Sequence, residues 1–236
     1  MTGRSVFVTG ASRGIGAAIA TDLASRGYRV VGTYRTSKRD VDTVSFVECD
    51  VRDPRSVTAA VGRARDIVGE LDIVVNCAGV TNDGLLVTQT PDDVRSVLDT
   101  NLCGAINVAR EALPDMLANK WGRLVFLSSV MALWGSPGQV NYAASKSGLI
   151  GLTRSLAWEL GRTGITSNAV LPGLVDTDMI AGISERRLKE IIAQTPLRRV
   201  GTPKEVAALV GFLVSDDAGF ITGASVPIGG GLAMGV

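Results

Sequence analysis

The chain of 236 residues contains no histidine. Imidazole is the side chain whose ordinary titration falls near neutral pH, so an enzyme built from this sequence must move protons with another group. Cysteine is nearly as scarce. Cys49, Cys77 and Cys103 are odd in number, far apart and each set in an apolar run, the pattern of reduced core thiols rather than of disulfides or a metal site. No apolar stretch approaches the ~20 residues needed to span a bilayer, and the first residues lack the basic-then-apolar pattern of a secretion signal. At a net charge of +1 there is also no run of like charges that would form a basic tail or a nucleic-acid stripe. These absences point to a soluble cytoplasmic protein with no metal, no membrane partner and no nucleic-acid partner.

What remains is 46% hydrophobic and 20% charged, enough to bury one large core in a single α/β domain spanning residues 1–236. Short β-rich runs (SVFVTG, YRVVGTY, VSFVECDV, LDIVVNCAG, RLVFLSSV, ITSNAVLPG and ASVPIGG) alternate with helical patterns, the longest being residues 91–118 and 142–161. Thr90-Pro91 supplies a cap with proline at the first helical position, and Thr202-Pro203-Lys204-Glu205 reads as a capping box. Near-continuous apolar strands separated by helices predict a doubly wound, seven-stranded parallel sheet covered on both faces, a Rossmann-type fold. Ligands of such sheets bind at the carboxyl ends of the strands.

Immediately after the first strand comes TGASRGIG, with Gly10, Gly14 and Gly16 leading into an amphipathic helix. Glycines there let the backbone approach a pyrophosphate, and the free N–H groups of the helix end face its charge. The same glycines would also serve a plain strand-to-helix turn, and the strand–turn–helix context favours the binding role. Asp50 closes the third strand, where a carboxylate could accept from an adenine amine, and Asn76 in NCAG closes the fourth; each alone also reads as a turn-former.

Tyr142 and Lys146 lie four residues apart near the start of a helix, so their side chains share a face. A nearby ammonium favours the phenolate, and lowering the tyrosine pKa by two to three units corresponds to roughly 3–4 kcal/mol. Ser129, at the end of the fifth strand, can place its hydroxyl beside the same point. An isolated Tyr-x-x-x-Lys also fits an exposed helical pair; the upstream serine and the glycine turn favour chemistry.

TGASRGIG, NCAG, Ser129, NYAASK and LPGLVDTDM together resemble the short-chain dehydrogenase/reductase family from about residue 4 to the end, and most nearly its 3-oxoacyl-[acyl-carrier-protein] reductases of actinobacterial type, with Leu-Trp-Gly after the serine. The resemblance implies that Ser129 orients a substrate carbonyl, Tyr142 donates the proton, and Lys146 holds the nicotinamide ribose and depresses the tyrosine pKa. It implies that Asn101 anchors a water linking Lys146 to solvent, where the sequence alone shows an unremarkable mid-helix polar residue. It places the cofactor against Gly10, Ser12, Arg13, Gly14, Ile15, Gly16, Tyr34, Arg35, Asp50, Val51, Asn76, Ala78, Gly79, Tyr142, Lys146, Pro172, Gly173, Val175 and Thr177. Cys77 departs from the family, which commonly has a second asparagine there, and the link from Arg35 to the third strand is short for the helix often found in it.

The function so implied is reduction of a 3-oxoacyl thioester to the (3R)-hydroxyacyl product, in fatty-acid or polyketide biosynthesis. A same-family reductase of another ketone (a polyketide or polyene intermediate, or an acyl-CoA) is the alternative, and a non-catalytic nucleotide-binding scaffold a further one. Residues 175–200 form a candidate lid, with Met179, Ile180 and Ile183 facing an acyl chain and Leu133 and Trp134 on the opposite wall or in a subunit contact. An acyl carrier protein, being acidic, is the expected partner; Lys120, Arg123 and Arg162 are candidates for docking it or ordinary solvated charges. The apolar residues on several faces of the two long helices, with the tail GGGLAMGV, suggest a homotetramer. Thr33-Tyr34-Arg35 lacks the acid that NADH-selective members place at the end of the second strand, with no carboxylate until Asp40, and Arg13 adds a second guanidinium. The expected cofactor is NADPH.

Overall fold

The structure, a computed structural model, describes residues 3–37, 43–180, 182–232 and 234. All seven apolar runs form strands: β1 (Ser5–Val8), β2 (Arg29–Tyr34), β3 (Ser45–Glu48), β4 (Ile73–Asn76), β5 (Gly122–Leu127), β6 (Ile165–Pro172) and β7 (Ser225–Ile228). They make one sheet in the order β3-β2-β1-β4-β5-β6-β7, with every neighbouring pair parallel. The chain winds outward from β1 to β3 and then crosses back to put β4 on the other side of β1. Connections leave in opposite directions at that point, which opens a crevice at the carboxyl ends of the two strands.

The helices are α1 (Gly14–Ser25), α2 (Pro54–Val68), α3 (Pro91–Leu98), α4 (Gly104–Asn119), α5 (Met131–Trp134), α6 (Val140–Leu160), α7 (Glu185–Gln194) and α8 (Pro203–Leu213). Side chains alternate across each strand, so β1 sends Phe7 into a core shared with α2, α4 and α6, and Val6 and Val8 into one shared with α1 and α8. Burying a large apolar side chain such as Phe7 or Phe126 stabilises the fold by roughly 1.5–3 kcal/mol. Asp53 caps α2 in front of Pro54, and Thr90 and Thr202 close capping boxes with Asp93 and Glu205.

Two features differ from the sequence expectation, and α7 adds detail to it. Residues 91–118 are not one regular helix, because a π-helical turn over Asp99–Cys103 separates α3 from α4. The candidate lid contains α7, whose apolar side brings Ile191 against a core cluster while its charged residues face outward. Cys103 is exposed on the outer side of the π-helical turn and is not a core thiol, although all three cysteines are free. Among the described residues no helix is long and apolar enough to cross a membrane.

Candidate active site

A cleft of about 510 Å³ lies over the carboxyl ends of β1, β2, β4 and β5, lined at one end by the glycine turn and at the other by Tyr142 and Lys146. Gly10 has φ +65°, and a Cβ on it would stand 2.9 Å from the Ala78 Cα, so the glycine turn and the NCAG turn pack backbone to backbone. A Cβ on Gly16 would collide with the Gly10 carbonyl. Two threonines that sequence reading missed hold this arrangement. The Thr9 Oγ1 accepts from the N–H groups of Cys77 and Ala78, both at 3.0 Å, and the Thr33 Oγ1 accepts from Gly10 N–H at 3.1 Å.

α2, α3, α7 and α8 each begin with a side-chain cap, but Arg13 leaves the first N–H groups of α1 uncapped and no acid lies in its first turn. Those donors open on the cleft beside Ser12, Gly14 and Ile15, with Thr177 across from Gly14. The donor set fits the pyrophosphate of a dinucleotide. Tyr34, Arg35, Asp50 and Val51 line the cleft beyond it. Asp50 is gripped by Arg52, whose Nε donates to its Oδ1 at 2.9 Å and whose Nη2 donates to its Oδ2 at 2.5 Å. That hydrogen bond holds the Asp50 carboxyl below the usual carboxylate range. Asp40 lies outside the described residues, as does part of the link after Arg35.

At the other end α6 brings Tyr142 and Lys146 to one side of the cleft, with the Lys146 Nζ 5.6 Å from the centre of the tyrosine ring. Lys146 is almost wholly buried and donates to the Leu127 carbonyl at 2.6 Å, while Ser128 Oγ donates to the Lys146 carbonyl at 2.8 Å and ties α6 to the end of β5. Burial pushes the Lys146 ammonium down to about 8. Burial likewise pushes the Tyr142 hydroxyl up to about 12, against a smaller lowering by contact with Ser129. This corrects the expectation drawn from spacing. Desolvation outweighs any help the phenolate receives from Lys146, and Tyr142 holds its proton more firmly than usual.

Asn101 does not line the cleft. The π-helical turn directs its side chain onto the loop after β4, where its Oδ1 accepts from Val80 N–H at 2.8 Å and its Nδ2 donates to the Val80 carbonyl at 3.0 Å and to Ser145 Oγ at 3.0 Å. Gly79 fills the gap between: a Cβ there would lie 3.3 Å from both Asn101 Oδ1 and Lys146 Nζ. The sequence gives no hint of the roles of Ser128, which bonds a main-chain atom distant in the chain, or Ser145, whose distant partner is the Asn101 side chain.

The remaining candidates divide. Thr177 and Met179 reach the cleft. Pro172 ends β6 paired with Ile228, Gly173 is pressed against Gly229, where a Cβ would meet its Cα at 2.7 Å, and Val175 is buried. Asn76 is buried at the end of β4 with neither side-chain polar atom bonded. The basic residues proposed for docking do not flank this cleft. Lys120 and Arg123 stand at the amino end of β5 and Arg162 just before β6, the edge of the sheet opposite to the cleft. Arg123 is 4% exposed, stacked 4.3 Å from the Trp121 ring centre and bonded to the Gly122 and Gly164 carbonyls.

The family model described as "Enoyl-(Acyl carrier protein) reductase" matches residues 10–233. The 3-oxoacyl-[acyl-carrier-protein] reductase MabA of Mycobacterium tuberculosis H37Rv is 44% identical over 98% of this chain and 94% of its own length. MabA of Mycobacterium avium is 41% identical over 98% of this chain and 91% of its own, and the 3-oxoacyl-[acyl-carrier-protein] reductase FabG of Escherichia coli K12 is 40% identical over 98% of each. With a parallel sheet that opens at the glycine turn, tyrosine and lysine at the far end of one cleft and the serine against the tyrosine, the chain belongs to the short-chain dehydrogenase/reductase family.

Proposed function

We propose that this protein reduces the 3-oxo group of an acyl thioester carried on an acyl carrier protein, with NADPH as the reductant, to the (3R)-hydroxyacyl product of fatty-acid or polyketide biosynthesis. One observation carries the reading. Tyr142, with Ser129 against it, and Lys146 stand at one end of a cleft whose other end holds an uncapped helix terminus and two arginines, in a chain 44% identical to proteins named for this reaction.

The bound cofactor supplies the hydride that the carbonyl carbon accepts. Ser129 donates a hydrogen bond to the carbonyl oxygen and orients it, and Tyr142 transfers its hydroxyl proton to that oxygen as charge builds there. The raised tyrosine pKa ensures that the proton is present to give at neutral pH. Lys146 would hold the nicotinamide ribose and, its ammonium being pushed down by burial, would return a proton toward Tyr142. Asn101 fixes the Val80 loop against α6, and Arg13 and Arg35 would hold the 2′-phosphate through charge-assisted hydrogen bonds worth about 1.5–3 kcal/mol each. Asp50 and Val51, which line the cleft, would receive the adenine.

The enzyme works in the cytoplasm, where three unpaired cysteines stay reduced. It assembles as a homotetramer. Trp158 on α6 is 91% exposed, Phe220 near β7 is fully exposed, and Ile106 and Leu117 stand out from α4, apolar surface that a second subunit would cover. A light-scattering mass equal to one chain at micromolar concentration would contradict this.

Steady-state rates with an acetoacetyl group on carrier protein, on coenzyme A and on a short thioester, each with NADPH and with NADH, test the function. NADPH should win by at least about tenfold in kcat/KM, equivalent to ~1.4 kcal/mol. Equal use of the two cofactors rejects the cofactor, and equal efficiency on all three thioesters rejects the carrier.

A further inference from the structure

Arg52 has no place among the residues so far assigned to the cleft, yet it makes the closest charged contact to one of them. We propose that Arg52 is a specificity-determining residue: by neutralising Asp50 it leaves Arg13 and Arg35 free for the 2′-phosphate that distinguishes NADPH from NADH. The inference rests on the cofactor reading above and deepens it.

Strand register brings the groups together. Glu48 of β3 lies opposite Tyr34 of β2, and Cys49 N–H donates to the Tyr34 carbonyl at 2.8 Å, so Asp50 emerges beside Arg35. Arg35 adds to the lowering of the Asp50 carboxyl pKa, behind the larger effect of Arg52. A bare carboxylate at this point would draw the Arg35 guanidinium to itself and repel a phosphate dianion.

Arg52 prevents that by covering both oxygens. Besides the two bonds already given, its Nε lies 3.2 Å from Asp50 Oδ2 and its own N–H donates to Oδ1 at 3.1 Å. The turn carrying the pair is braced. Asp53 N–H donates to the Asp50 carbonyl at 3.1 Å, Asp50 N–H donates to Ser56 Oγ at 2.9 Å, and Asp53 caps α2 through Arg55 N–H at 3.0 Å. A fixed, forked pair of this kind differs from a chance surface ion pair, which contributes little.

Dissociation constants of NADPH and NADH, read from the fluorescence of the reduced nicotinamide on titration, test the idea. Arg52→Gln should weaken NADPH at least about fivefold while NADH stays within about twofold. Arg52→Lys, which keeps the charge, should retain most of the preference. Asp50→Asn combined with Arg52→Gln should restore selectivity, because no bare carboxylate remains to be neutralised. Equal weakening of both cofactors by Arg52→Gln would show that Arg52 only braces the turn, and an unchanged ratio, or a double variant no more selective than the single one, would equally overturn the proposal. Arg35→Ala serves as the separate check. If it leaves the ratio unchanged, the assignment of the 2′-phosphate to Arg35 fails, whatever Arg52 does.

Discussion

Replacing Lys146 with methionine should stabilise the fold while abolishing turnover. The side chain is almost wholly buried, and its ammonium is pushed from the ordinary 10.5 down to about 8 by desolvation. That gap corresponds to about 3 kcal/mol of unfavourable charge burial at neutral pH. Methionine keeps the length and removes the charge, but leaves the Leu127 carbonyl without its 2.6 Å partner, at a cost of about 1 kcal/mol. The net expectation is a gain of about 2 kcal/mol near pH 7. Because the folded-state pKa lies below the unfolded one, the cost in the wild-type chain is complete below about 8 and shrinks as pH rises toward 10.5, above which both states are neutral. The advantage of the variant must therefore fade over that window. Urea unfolding followed by tryptophan fluorescence, from about pH 7 to about pH 10 at one chain concentration, measures the difference, and the other titrating groups cancel between the two proteins. A Lys146→Met chain less stable than wild type at neutral pH, or a difference that does not move with pH, would refute the reasoning.

Three further outcomes are expected. Tyr142→Phe should lower kcat by about a hundredfold or more with the dissociation constant of the cofactor nearly unchanged, and a variant retaining several per cent of the rate would remove tyrosine from its role. Gly79→Ala puts a methyl 3.3 Å from Asn101 Oδ1 and Lys146 Nζ, so kcat should fall roughly tenfold through misplacement of the lysine while the melting temperature hardly shifts; an unaffected kcat would show that the lysine tolerates the displacement. Thr9→Val leaves the Cys77 and Ala78 N–H groups without an acceptor in a site 1% exposed, which should cost roughly 2 kcal/mol or more in denaturant unfolding; an unmoved midpoint would show that those donors find other partners.

The strands were legible because a parallel sheet covered on both faces demands near-continuous apolar runs, and Val6-Phe7-Val8 or Ile73-Val74-Val75 satisfies nothing else so well. Tyr142 and Lys146 could be paired from their helical spacing alone. Their electrostatics could not, because the sign of a pKa shift depends on how much solvent the fold removes, and spacing carries no record of that. Thr9, Ser128 and Ser145 were illegible for a different reason: Thr9 and Ser128 bond main-chain groups, and Ser145 the Asn101 side chain, whose proximity exists only once the chain is folded. Arg123 misled because a guanidinium flanking a tryptophan reads as surface until the strand end is seen to fold it beneath Trp121.

The π-helical turn at Asp99–Cys103 makes chain length, as well as residue type, a determinant of the site. An α-helix turns by about 100° per residue, so deleting one residue from this segment would let α3 and α4 fuse into a regular helix with no loss of propensity. The two halves would then be out of phase. If Ala105, Val108 and Ala112 kept their places in the core, Asn101 would swing away from Val80 and Ser145; if Asn101 kept its bonds, the apolar stripe of α4 would turn toward solvent. A chain shortened by one residue there would keep its helix and lose the scaffold beneath Lys146.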